Sequence, residues 1–275
     1  MSAKILSGTE TAKEIRAELK AAVEKMHTEH GVVPGLVTIL VGEDPASQSY
    51  VSGKQKAAKE LGFYSVQENL SADTCEKDLL DMVERYNRDE RIHGILVQLP
   101  LPKHISESRV IMAIDPDKDV DGFHPVSVGR LLLGEEGFAP CTPSGIIELL
   151  KRSGANTSGA EAVVINRSNI VGKPISMMLA RKAEGGNATV TMCHTGTKDI
   201  AAHARRADIL VVAAGRPGTV TADMVKPGAV VIDVGVNRIG IKPDGKAILA
   251  GDVDFDTVKE IASAITPVPG GVGPM

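Results

Sequence analysis

Gly94-Ile-Leu-Val-Gln-Leu-Pro-Leu-Pro102 decides how this chain folds. Ile95, Leu96, Val97 and Leu99 make an apolar run of the kind found in a strand buried on both faces of a parallel sheet. Gln98 interrupts the run near its carboxyl end, and Pro100 and Pro102 stop further pairing. Ligands of open α/β sheets bind beyond the carboxyl ends of the strands. Gln98 is therefore a candidate ligand contact; the blander role for it is a tether to a neighbouring loop.

Downstream, Ser106 to Ile114 reads as a short helix. It leads into Asp115-Pro-Asp-Lys-Asp-Val-Asp-Gly-Phe-His-Pro125. Asp117, Asp119, Asp121 and Gly122 match the start of an EF-hand calcium loop, but its twelfth position needs a bidentate Glu and holds Val128. Pro125 also breaks the frame, so no metal site is expected. What remains is a rigid turn that presents Asp121 beside a glycine and Phe123. Val126 to Leu133 reads as a further helix, ended by Gly134-Glu-Glu-Gly137.

Upstream, Thr11-x-x-Glu14 has the form of a capping box. Ala12, Ile15, Leu19, Val23 and Met26 follow at helical spacing, and Gly31 with Pro34 ends the helix. Gly35 to Val41 reads as a buried strand and Ala46 to Leu61 as a helix. The apolar stripe of that helix holds Tyr50, Val51, Ala57, Ala58 and Leu61, and the slot between them is Lys54. Tyr50 and Lys54 are thus expected as inward neighbours. A lysine in an apolar stripe loses hydration, which disfavours its charged form and suits it to proton transfer. The alternative is a lysine whose stem covers the stripe while its amine reaches water. Phe63 to Leu70 is a strand, and Leu79, Leu80, Val83 and Tyr86 mark another helix. The order β-α-β-α-β predicts a parallel sheet.

The totals bound the rest. A chain of 275 residues holds one large domain or two ordinary ones. A net charge of −4 gives no reason to expect nucleic acid or an anionic membrane as a partner. Cys75, Cys141 and Cys193 lie far apart, which argues against a zinc site or a disulfide framework and suits a reducing cytoplasm. There is no signal-peptide core, and no apolar run approaches the ~18 residues of a membrane span.

Phe138 to Gly145 reads as a turn-rich link, with a domain boundary near it and a helix beginning at Ile146. The second half repeats the alternation, with strands at Ala162–Ile165, Ala188–Met192, Ile209–Ala213 and Val230–Val234. Asn166-Arg-Ser-Asn-Ile-Val-Gly-Lys-Pro174 joins the first of these to a helix opened by Pro174. A strand–turn–helix junction of this kind is an anion site suited to a dinucleotide pyrophosphate, although neither GxGxxG nor a Walker A pattern is present. A site for NAD places an acid at the end of the second strand; here that strand runs into Cys193-His-Thr195. Arg167 and Thr195 suit a 2′-phosphate instead, which favours NADP. The loops Gly215-Arg-Pro-Gly218 and Asp233-Val-Gly-Val-Asn237 follow the next two strands, where further cofactor contacts would fall. The chain closes Ile265-Thr-Pro-Val-Pro-Gly-Gly-Val-Gly-Pro-Met275, a backbone in unusual dihedrals close to some other group.

Taken together, Tyr50-Val-x-x-Lys54-x-Lys56, Gly94 to Pro102, Asp115 to Phe123, Pro140-Cys-Thr-Pro143, Arg167 to Pro174 and Pro267 to Pro274 resemble one family. It is the bifunctional methylenetetrahydrofolate dehydrogenase/methenyltetrahydrofolate cyclohydrolase family, and the resemblance covers nearly the whole chain. It implies two α/β domains with parallel sheets, the second Rossmann-like, with the active-site cleft between them. The expected division is a folate-binding catalytic domain over 1–140, an NADP-binding domain over 141–265, and a Gly/Pro-rich segment over 266–275 returning to the cleft. The resemblance implies Lys54 as the catalytic acid–base, Tyr50 stacking near the folate, Gln98 tuning Lys54 and Asp121 gripping the pterin. Further substrate contacts would be Val97, Leu99, Pro269, Gly270, Gly271, Val272, Gly273 and Pro274. Cofactor contacts would be Asn166, Arg167, Ser168, Thr195 and Ile232.

The implied ligands are tetrahydrofolate derivatives and NADP, and the implied assembly is a homodimer formed through the nucleotide domains. Two departures stand out. Asn166 replaces the family's usual Gly, a place where asparagine's tolerance of left-handed dihedrals would preserve the turn. The family also continues past Met275 into a helix, so the terminal segment is expected to be mobile without folate. The rival readings are a dehydrogenase lacking the hydrolase step and a non-catalytic nucleotide- or folate-binding protein. Intact Lys54 argues against the first, and the presence of Tyr50, Lys54, Gln98 and Asp121 against the second.

Overall fold

In the computed structural model, residues 2–243 and 245–275 are described. The first part of the chain contains β1 (Lys4–Ile5), α1 (Gly8–His30), β2 (Gly35–Val41), α2 (Pro45–Glu60), β3 (Tyr64–Leu70), α3 (Glu76–Asn87), β4 (Gly94–Val97), α4 (Glu107–Ala113) and α5 (Pro125–Leu133). It continues through α6 (Cys141–Ser153), β5 (Glu161–Ile165), α7 (Gly172–Ala180), β6 (Thr189–Cys193), α8 (Ile200–Ala204), β7 (Ile209–Val212) and β8 (Val230–Asp233). The last elements are β9 (Asn237–Ile241), β10 (Ala247–Ala250), α9 (Phe255–Val258) and β11 (Ala264–Ile265).

The chain divides into two compact units. One comprises residues 14–130 and 136–139; the other comprises 1–13, 131–135 and 140–275. The first unit holds a parallel sheet of order β3-β2-β4. Every residue of β4 is buried, as its unbroken apolar run predicts, and all of β2 is buried except the half-buried Leu36. The core of this unit gathers Val37, Ile39, Ile95 and Val97 with Leu79, Val83 and Tyr86 of α3. The second unit holds a parallel sheet of order β1-β11-β8-β7-β5-β6, with an antiparallel β9–β10 hairpin beside it.

Several local expectations are corrected. Helix α1 begins at Gly8, one turn before the expected capping box, because Ser7 Oγ accepts from Glu10 N–H at 3.2 Å. Thr11 instead donates its hydroxyl to Ser7 O at 2.9 Å. The stretch expected to be a link is already helical from Cys141, since Pro140 is the N-cap and Pro143 lies in the first turn, where no intrahelical N–H is needed. The short strands β1 and β11 and the β9–β10 hairpin carry no strong sequence pattern. Pairing of β1 with β11 assigns the amino-terminal residues to the unit of the six-stranded sheet, whereas the expected first domain runs from 1 to 140.

The two larger sheets share one topological feature. In each, the chain leaves a central strand to one side and returns on the other: β2 lies between β3 and β4, and β5 lies between β6 and β7. The carboxyl ends of β2 with β4, and of β5 with β7, are therefore the switch points at which open α/β sheets bind ligands.

Candidate active site

In the first unit, α2 follows β2 and Gln98 follows β4, so both project from the switch point. Asp44 caps α2 by accepting from Ser47 N–H at 2.8 Å. Val51 and Ala58 are the buried centre of the α2 stripe. Lys54 lies about 60° to one side of that centre and Tyr50 about 100° to the same side, at 3.6 residues per turn. Lys54 is accordingly half-buried, while Tyr50 is 57% exposed and not the inward neighbour expected. Lys54 Nζ donates to Gln98 Oε1 at 3.2 Å. Gln98 Nε2 donates to Leu99 O at 2.7 Å, and Gln98 N–H to Ile39 O at 2.9 Å. The amide is thus held with its oxygen toward the lysine. Val97 is buried in the core and Leu99 half-buried against it.

The acidic loop separates four similar residues by their partners. Ile95 N–H donates to Lys118 O at 2.8 Å, which lays the loop along β4. Lys118 Nζ donates to Tyr86 O at 3.1 Å and to Asp89 O at 2.9 Å. Asp115 accepts from Asp117 N–H, and Asp117 pairs with Arg130 at 2.6 Å. Asp119 is 1% exposed and takes His124 N–H and Ser127 Oγ–H, both at 2.8 Å, at the start of α5. Among the described residues Asp121 makes no hydrogen bond. Burial pushes its carboxyl up to about 6, the nearby Lys54 charge pulls it down, and Asp119 pushes it further up. Lys54, Gln98 and Asp121 are therefore brought together, and Asp119 is the structural anchor that sequence spacing did not distinguish.

In the second unit, the turn after β5 is built around Asn166. Its Nδ2 donates to Ala213 O at 2.5 Å, across the switch point to the end of β7. Its Oδ1 accepts from Ser168 N–H at 2.7 Å and Gly172 N–H at 2.9 Å. The only non-glycine residue with a positive φ among those described is Asn187, so Asn166 serves through its side chain and not through a left-handed backbone. A side chain on Gly172 would overlap Asn166, which explains the glycine there. Ser168 Oγ accepts from Val171 N–H at 3.1 Å.

Arg167 and Thr195 are exposed at the ends of β5 and β6. The first acid after β6, Asp199, is occupied as the cap of α8, accepting from Ala202 N–H at 2.9 Å. A cation and a hydroxyl without a free carboxylate fit a phosphorylated ribose better than a bare one. Ile232 is fully enclosed in β8 and presents nothing at the surface. The segment 269–274 packs within this unit: Thr9 N–H donates to Gly270 O at 3.2 Å, Met275 N–H to Val272 O at 3.0 Å, and Val272 is buried.

Comparison with known proteins places the chain in one family. The family model described as tetrahydrofolate dehydrogenase/cyclohydrolase, catalytic domain, matches residues 6–121, and its NAD(P)-binding domain counterpart matches residues 140–275. The bifunctional protein FolD of Syntrophobacter fumaroxidans is 66% identical over 275 residues, covering 100% of this chain and 93% of that protein. The crystal structure of the Campylobacter jejuni FolD methylenetetrahydrofolate dehydrogenase/cyclohydrolase superposes with a TM-score of 0.92 at 45% identity, covering 99% and 94% of the two chains. The Trypanosoma brucei dehydrogenase-cyclohydrolase, solved with NADP cofactor and inhibitor, gives a TM-score of 0.92 at 41% identity, covering 100% and 93%.

Proposed function

The chain belongs to the tetrahydrofolate dehydrogenase/cyclohydrolase family, and from that premise we propose which residues carry its two reactions. The protein oxidises 5,10-methylenetetrahydrofolate to 5,10-methenyltetrahydrofolate with NADP+ and hydrolyses the product to 10-formyltetrahydrofolate. Bound NADP+ supplies the hydride acceptor.

The observation that carries the assignment of roles is the Lys54–Gln98 hydrogen bond at 3.2 Å, with Asp121 close enough for the lysine charge to act on it. In the hydrolytic step, Lys54 Nζ exchanges the proton that water must lose and the ring nitrogen must gain. Gln98, held by Leu99 O, fixes the direction of that amine. Asp121 is the loop carboxyl without a partner of its own, and it grips the pterin. Tyr50, exposed beside Lys54, offers a face for the folate to stack on. Val97 and Leu99 form the apolar floor. Asn166, Arg167, Ser168 and Thr195 hold the dinucleotide, Arg167 at its 2′-phosphate. Ile232 supports that edge of the sheet from within.

The chain is further read as a cytoplasmic homodimer joined through its nucleotide-binding units. The family resemblance supports the dimer, and three free cysteines fit a reducing compartment.

The test follows methenyltetrahydrofolate by absorbance, with NADP+ and NAD+ in parallel, and then follows its hydrolysis. Faster formation with NADP+, followed by hydrolysis, is expected. Formation without hydrolysis would leave a dehydrogenase alone, and binding without either reaction would leave a non-catalytic protein.

A further inference from the structure

Two buried carboxylates in the second unit have no part in the roles above. Asp233 ends β8 and is 3% exposed; Asp252 follows β10 and is 0% exposed. Each lies against a glycine of the other's segment. A Cβ on Gly251 would overlap the Asp233 carboxylate, and a Cβ on Gly235 would overlap that of Asp252. Asp233 Oδ1 accepts from Gly235 N–H and Asp252 N–H, both at 3.0 Å, and its Oδ2 accepts from Val253 N–H at 2.9 Å. Those bonds stay inside the β8 and β10 segments.

Asp252 reaches further. Its Oδ2 accepts from Gly215 N–H at 2.8 Å and its Oδ1 from Asn237 Nδ2 at 2.8 Å. Gly215 takes φ +70°, so the loop after β7 turns on a glycine whose amide is engaged by this one carboxylate. One buried carboxylate thereby ties loop 214–218 after β7 to Asn237, where the loop after β8 enters β9. Strands β7 and β8 are paired neighbours, so both loops leave the same carboxyl edge. Residues 214–218 are all exposed, whereas their anchor is buried.

We propose that Asp252 is a positioning residue for NADP+, holding the loops after β7 and β8 in their binding arrangement before the dinucleotide arrives. A loop ordered beforehand spares the ligand the cost of ordering it. This rests on the reading that the dinucleotide lies on this sheet edge. Asparagine at 252 keeps the shape but points an N–H group at one of two donors, Gly215 N–H or the Asn237 amide. Asn237 also donates to Ala250 O at 3.3 Å, which opposes its turning over to compensate.

The test compares Asp252→Asn and Asn237→Ala with the unaltered full chain. Each is assayed for KM and kcat of the dehydrogenase toward NADP+ and for hydrolysis of methenyltetrahydrofolate, which needs no nucleotide chemistry. Asp252→Asn is expected to raise the KM for NADP+ about tenfold or more, the scale of losing a hydrogen bond to a charged group, while hydrolysis is little changed. Asn237→Ala, which keeps the Gly215 bond, should give a smaller rise in the same parameter.

An equal fall in both activities would make Asp252 part of the scaffold only, and an unchanged KM would overturn the proposal outright. Should Asp252→Asn fail to fold, Asn237→Ala decides, and an unchanged KM there counts against the clamp. Arg167→Ala in the same series separates the two premises. If it weakens NADP+ and Asp252→Asn does not, the edge binds the cofactor but the clamp is wrong. If neither does, the assignment of the edge falls, and the clamp with it.

Discussion

Gln98 and Asn166 stand at corresponding points of the two sheets, one beyond β4 beside the central β2, the other beyond the central β5 beside β7. Gln98 N–H continues the β2–β4 ladder by donating to Ile39 O, whereas Asn166 reaches past the strand end with its side-chain amide to Ala213 O. They differ in what the amide oxygen holds. Gln98 accepts from a side chain that carries a titratable amine, whereas Asn166 accepts from two backbone N–H groups. On the proposed roles, the first arrangement directs the amine that exchanges protons with the folate. The second fixes the shape of a turn. The same side-chain amide thus holds a lysine amine in one unit and a backbone turn in the other.

The largest effect should come from removing the titratable partner. Lys54→Met keeps the length of the side chain and loses the amine, so hydrolysis of methenyltetrahydrofolate is expected to fall by about 10²–10⁴-fold, the usual contribution of a general acid–base. NADP+ affinity should be unchanged. If most of the hydrolysis survives, Gln98 is merely a loop tether and the contrast between the two amides disappears.

Asn166→Ala should be felt less and in a different place. It leaves Ser168 N–H and Ala213 O without their partner and Gly172 N–H with only its longer bond to Ser168 Oγ at 3.4 Å, at a cost of about 1–3 kcal/mol. A Tm lowered by several degrees and weaker NADP+ binding are expected, with hydrolysis retained. A fall in hydrolysis comparable to that of Lys54→Met would mean that the turn does more than hold the nucleotide.

The smallest effect concerns pH. Asp121 is raised from its usual 3.8 to about 6, mainly by desolvation. Between those values the folded protein keeps a proton that the unfolded chain has released. The stabilisation from this group is therefore full below the unfolded value, is lost as pH rises through about 6, and is absent above it. Asp121→Asn removes that dependence. The mutant should gain on the wild type by about 1–2 kcal/mol between pH 4 and pH 7.5, after allowance for partial exposure. Paired denaturant titrations at the two pH values measure this, and a constant difference would show that Asp121 titrates like a solvated carboxylate.

Much of this arrangement was legible from local pattern. The apolar runs gave β2, β4, β5, β7 and β8 to within a residue or so, because a strand buried on both faces has little room for polar side chains. The stripe on α2 singled out Lys54 because helical phase is fixed over a few turns. The same stripe mis-set Tyr50, which sits at the edge of the phase and whose exposure depends on what packs against α2. The acidic loop shows the limit more sharply. Asp115, Asp117, Asp119 and Asp121 are alike in sequence, yet among the described residues three accept hydrogen bonds or pair with a cation and Asp121 makes no hydrogen bond.

Periodicity, capping residues and turn chemistry act over a few residues, so the sequence by itself determined the alternating elements, the two parallel sheets and the motifs at their carboxyl ends. The tertiary structure decided the rest. Pairing of β1 with β11 joins residues about 260 positions apart, and no local pattern encodes such a partner. The side-chain role of Asn166 depends on Ala213, and that of Asp252 on Gly215 and Asn237. Whether a polar residue is free for chemistry or engaged in holding a loop is settled by the donors and acceptors that folding brings to it, because burying a polar group without a partner costs free energy that most such groups avoid by pairing.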